Sequence, residues 1–187
     1  AKATTETGTV TIVDDDGAVE WLVKDGAQLE LAATGDADVR MTVMRTGTEA
    51  NLGASQTIKY ATAAATGAGE TLATSGADFT AASGTLTFAT TTISENLTAS
   101  ETDITIASTS NFAAGGGVVT IRDEDISYTS ISGGALQGVV RGINGTTATT
   151  HTTGASADVT GVYVDVVTTH DTTSEIAENF ALTLNTP

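Results

Sequence analysis

Apolar and polar residues alternate with a period of two along most of this chain, the pattern of half-buried β-strands. Residues 9–13 read Thr-Val-Thr-Ile-Val and close on Asp14, Asp15 and Asp16. Residues 19–23 form a short apolar stretch centred on Trp21, between acidic turns. Strands are expected at 29–33 and 39–44, the second ending at the turn Arg45-Thr46-Gly47, and again at 57–61, 84–88, 162–167 and 180–184. Residues 63–75 read as a small-residue loop. Between about 91 and 160 the texture changes, and shorter strands at 103–107, 118–122, 126–131 and 136–140 alternate with Gly-rich turns. At most a helical turn or two is expected, at 94–100 and 173–178. The pattern predicts an all-β fold, a sandwich carrying a smaller β-rich insert.

Composition agrees and removes several classes of function. The 187 residues include 39 Thr, 29 Ala and 20 Gly, with 4% aromatics, one Pro and no Cys. Thr favours strands and the small residues favour thin, closely spaced cores. Lys and Arg number 7 against 23 Asp and Glu, a formal charge of −16. Seven scattered cations make no basic stripe for displacing counterions from phosphates, so no nucleic-acid partner is expected. No apolar run reaches the roughly 18 residues of a membrane helix, so no membrane insertion is expected. Without Cys there are no disulfides and no thiol nucleophile. The chain begins at Ala1 without a charged, apolar-cored leader, and a secreted, signal-cleaved protein of the cell surface is the expectation.

Four segments occur in a telling order: 41–47 (Met-Thr-Val-Met-Arg-Thr-Gly), 58–62 (Ile-Lys-Tyr-Ala-Thr), 75–79 (Ser-Gly-Ala-Asp-Phe) and 83–88 (Ser-Gly-Thr-Leu-Thr-Phe). After the insert come 162–167 and the run 171–187, which contains Glu175-Ile-Ala-Glu-Asn-Phe180. Together these resemble the successive strands of a Calx-beta domain, over roughly residues 30–90 and 160–187. The resemblance implies an Ig-like sandwich. Such domains normally finish with a strand reading like Thr-Val-Thr-Ile followed by acidic residues. Here the chain stops at Pro187 where that strand would begin, and its match lies at residues 8–16 instead. The insert, with 121–129 and 140–148, looks like small β-modules of phage and other virion structural proteins.

The displaced strand has three explanations. It belongs to a preceding domain of a tandem array, or folds back into its own sandwich, or completes the sandwich of a neighbouring copy. A return path must cross the domain, and residues 17–28 reach about 40 Å only when fully extended. An open sandwich edge exposes unpaired backbone groups that a strand from another copy satisfies. One donor and one acceptor per subunit give a head-to-tail ring or filament. The resulting division is an N-terminal donor strand at 1–16, a linker at 17–28, the sandwich at 29–90 and 161–187, and the insert at 91–160. Thr9, Val10, Thr11, Ile12, Val13 and Trp21 are the expected subunit-interface residues, with Trp21 a packing plug at a domain or subunit junction.

The Calx-beta resemblance also implies calcium at one pole of the sandwich, held by loop carboxylates, as suits a hard cation wanting 6–8 oxygens. The matching positions are Asp78, Asp171, Glu175, Glu178 and the cluster Asp14, Asp15, Asp16, while Thr34 and His170 stand where the family carries acids. Calcium held partly by the donor strand would join two subunits. Catalysis is not expected: His151 and His170 lie in Thr-rich loops without a nucleophile partner, and Gly115-Gly-Gly117 lacks the helix start and Lys of a phosphate loop. Asn96-Leu-Thr and Asn144-Gly-Thr match the glycosylation sequon. The expected function is a structural subunit of an extracellular filament, self-assembled by donor-strand complementation with calcium. The alternative is a calcium-binding adhesin or cell-surface repeat domain with a surface ligand of its own.

Overall fold

A computed structural model describes residues 19–24, 37–65, 72–169 and 179–185. Within these the chain is all-β, with one helical turn, α1 (Glu49–Leu52), that the alternation did not foretell. Thirteen strands are formed: β1 (Glu20–Lys24), β2 (Ala37–Thr46), β3 (Gln56–Ala64), β4 (Ser83–Phe88), β5 (Thr90–Thr92), β6 (Asp103–Thr105), β7 (Gly117–Ile121), β8 (Glu124–Tyr128), β9 (Ser130–Ser132), β10 (Ala135–Gln137), β11 (Val140–Ile143), β12 (Ser156–Thr168) and β13 (Phe180–Asn185). The expected strands at 9–13 and 29–33 lie outside the described residues.

The larger sheet runs β1-β2-β12-β7-β8-β11, with β5 also on β12, and all its pairs are antiparallel. Opposite lies the sheet β13-β3-β4. Alternation aims Trp21, Val23, Val39, Met41, Val43, Val162, Val164 and Val166 inward from the first sheet, and Ile58, Leu86, Phe88, Leu182 and Leu184 from the second. These side chains form one buried cluster. The apolar stretch placed in a linker is therefore, over Glu20–Lys24, a full strand in register with β2.

A third sheet, β6-β10-β9, covers the insert. Two expected strands divide between sheets. Residues 126–131 break into β8 and β9, and 136–140 into β10 and β11, where Gly138 takes a φ of 60°. The expected 162–167 strand is the end of a longer one. β12 pairs through 156–158 with β5, through 158–162 with β7 and through 161–168 with β2. The change of texture near residue 160 thus falls inside a continuous strand, at a register shift between Val159 and Gly161. Such a shift bends a strand and lets one strand serve two packing units.

Candidate functional site

Of the seven carboxylates expected to hold calcium, Asp78 alone lies among the described residues. The carboxylate of Asp78 accepts the N–H of Thr74 at 2.5 Å, pinning a turn whose Gly76 has a φ of 89°. The same turn docks on the end of β12: Thr80 N–H donates to Val167 O and Thr169 N–H to Asp78 O, each at 2.9 Å. Asp78 therefore sits where β12 leads into residue 170. Among the described residues no three His, Cys, Asp or Glu side chains gather around a cation-sized space. Trp21, expected at a junction, is 5% exposed and meets Phe88 of the opposite sheet edge-on, ring centres 4.8 Å apart.

The sheet β13-β3-β4 defines an edge. β13 pairs with β3 from Phe180↔Ala64 to Asn185↔Lys59, and no described strand pairs with its other side. Leu182 and Leu184 turn inward, each 7% exposed. Phe180 stacks on Phe79 at 4.6 Å. A mostly apolar recess of about 420 Å³ opens beside this stack, lined by Ala63, Leu72, Ala73 and Phe79 among others. Leu72 there is 47% exposed, an unusual state for a large aliphatic side chain.

Sequence reasoning passed over a buried polar centre in the insert. Arg141 donates to Glu124 through Nε and Nη2 at 2.6 and 2.7 Å, a two-pronged pair. Glu124 also accepts the N–H groups of Gly142 and Thr149, at 3.2 and 3.0 Å, and its Oε2 lies 2.7 Å from His151 Nε2. Arg141 reaches on to the carbonyls of Thr98 and Thr149. Burial alone would raise the Glu124 carboxyl, but Arg141, the Thr149 N–H and His151 together hold it down at about 2. His151 Nδ1 is buried with no hydrogen-bond partner. These contacts fasten β11 and the loop that follows it, as far as His151, to β8. Thr149 Oγ1 lies 3.5 Å from Nε2, which already faces the carboxylate. The signal was present in the sequence: Glu124, Ile126 and Tyr128 share one face of β8.

Arg45 forms a second buried centre. The side chain is 0% exposed and donates to the carbonyls of Val159, Leu52 and Ala54, at 2.8, 3.0 and 2.9 Å. It ties the α1 turn to β12. Burial lowers its pKa to about 10, against the pull of Asp158. Comparison with protein-family models, with curated proteins and with solved structures returned no match.

Proposed function

We propose that this protein is a structural subunit of an extracellular, cell-surface filament, in which residues 9–13 of one copy complete the sandwich of the next. The observation that carries the reading is the outer edge of β13. No described strand covers it, Leu182 and Leu184 of that strand turn into the core, and the Calx-beta resemblance would add the next strand there. The segment Thr-Val-Thr-Ile-Val has the alternation needed to pair there, with Val10 and Ile12 on the face that would enter the core and the Thr hydroxyls on the other. Trp21, inside its own chain's core, then anchors the strand that follows the donor segment. Calcium belongs to the same reading. Asp78 stands at the pole where β12 ends, since Thr169 N–H binds Asp78 O, and Asp171 follows in the sequence. Asp14, Asp15 and Asp16 follow the donor segment directly.

Deletion of residues 1–16 tests the reading. The expected result is a shift from polymer to monomer in light scattering and micrographs, with a loss of thermal stability that a peptide of residues 5–16 restores. A wild-type chain that stays monomeric at high concentration, with a truncated form of equal stability, would overturn it.

A further inference from the structure

The first and last strands of the larger sheet meet through three side chains of a reactive combination. Lys24, at the end of β1, directs Nζ to the side-chain carbonyl of Asn144, just past β11, with Nζ–Oδ1 at 2.7 Å. Asn144 in turn donates Nδ2–H to Asp125 Oδ2 of β8 at 2.9 Å. Asp125 is itself held in place, accepting from Thr120 Oγ1 at 2.7 Å. Asn144 belongs to a tight turn with φ of 55° followed by Gly145 at 84°, closed by Thr146 N–H to Ile143 O at 3.0 Å. Nucleophile, electrophile and carboxylate thus come from β1, from the turn after β11 and from β8.

The geometry points to an intramolecular amide cross-link between Lys24 and Asn144, with Asp125 as a positioning residue that holds the Asn144 amide. The exposed ammonium of Lys24 first gives a proton to water, and neutral Nζ then attacks Asn144 Cγ. The Nζ–Cγ bond forms and the Cγ–Nδ2 bond breaks. The proton released from Nζ reaches Nδ2 through solvent, while Asp125 holds Nδ2 in place by its hydrogen bond, and ammonia leaves. No oxidant, reductant or second substrate is required. Well-oriented intramolecular groups react as if at effective concentrations of about 10⁵–10⁸ M. The product joins the two ends of the sheet order covalently, so β1 cannot peel from β2 under load.

The inference stands on these contacts and not on donor-strand assembly. Its test is the intact mass of the full-length protein, followed by a peptide map. The expected result is a chain lighter by one ammonia, with a branched peptide joining Lys24 to Asn144. Asp125→Ala should retain the full mass while Lys24 and Asn144 are both present. Cyclisation of Asn144 onto Gly145 also expels ammonia, and Lys24→Arg separates the two: a mass deficit that persists in that variant overturns the cross-link. So does full mass in wild-type protein, fresh and after prolonged incubation, a measurement that depends on no variant folding.

Discussion

Arg45 and Glu124 occupy strand positions that alternation otherwise gives to apolar side chains, Arg45 in line with Met41 and Val43, Glu124 with Ile126 and Tyr128. Each is tolerated because its polar atoms are met inside the fold, the condition for burying charge. The Arg40–Asp165 pair, between β2 and β12, is a useful contrast. Its side chains are 54% and 40% exposed, so its 2.7 Å contact contributes little, as exposed pairs generally do. Glu124 differs because its side chain is 1% exposed. With its carboxyl held at about 2 instead of 4.5, the linked stabilisation is on the order of 3 kcal/mol. That contribution is complete above the ordinary carboxyl value and is lost as pH falls toward about 2. Urea unfolding over this acid range should show wild-type stability declining, while Glu124→Gln, which strands the Arg141 guanidinium, starts roughly 3–5 kcal/mol lower near neutral pH. The gap between the two proteins should narrow toward pH 2. A gap that stays constant would mean that Glu124 carries no charge-linked stabilisation.

At the scale of elements, β12 is the strand on which the architecture turns, and glycines make its crowded crossing feasible. Gly117 of β7, opposite Val162, lies so close to β12 that a Cβ there would lie 2.7 Å from the Gly161 carbonyl oxygen. That neighbour is backbone in a paired strand and cannot move aside like a side chain. Gly117→Ala is therefore expected to destabilise by about 1–3 kcal/mol, read from the denaturant midpoint, with near-UV circular dichroism reporting the disturbed Tyr128 alongside it. Unchanged stability would show that the two strands have slack at this crossing. The same crossing marks where the sequence was legible and where it was not. Strands of alternating Val, Ile, Leu and Met, such as β2 and β13, stand close to where periodicity puts them. The first part of β12 reads Ser-Ala-Asp-Val-Thr-Gly, and its small and polar residues hide a strand that is buried on both sides. β5, three threonines, has no alternation to detect. Charged residues in apolar registers were visible as well, but only the pairing of β8 with β11 shows that Arg141 stands ready for Glu124. Of the expected calcium site, the family resemblance supplied the residues, and the described structure places Asp78 alone.

For the whole molecule, the acidic balance bears on assembly. A charge of −16 on 187 residues makes copies of the chain repel one another, so head-to-tail association has to overcome that field or neutralise it locally. A divalent cation bound at the proposed joint, beside Asp78, would do so locally. Binding there acts by mass action, adding about 2.7 kcal/mol when free calcium is 100 times the dissociation constant. Asp78→Asn isolates this effect from folding: the amide keeps an oxygen to accept the Thr74 N–H, so the turn is retained, while the charge is lost. Calcium should raise the melting temperature and polymer length of the wild-type protein, and chelation should reverse both. In Asp78→Asn the calcium-free melting temperature should stay close to that of the wild type, and the calcium-dependent increments should shrink or vanish. Polymerisation that ignores chelation would separate the two halves of the proposal, leaving the donor strand as the joint and the acids as a source of solubility. Monovalent salt supplies the final comparison: general screening of the −16 charge would let sodium chloride at matched ionic strength replace calcium, whereas coordination by Asp78 would not.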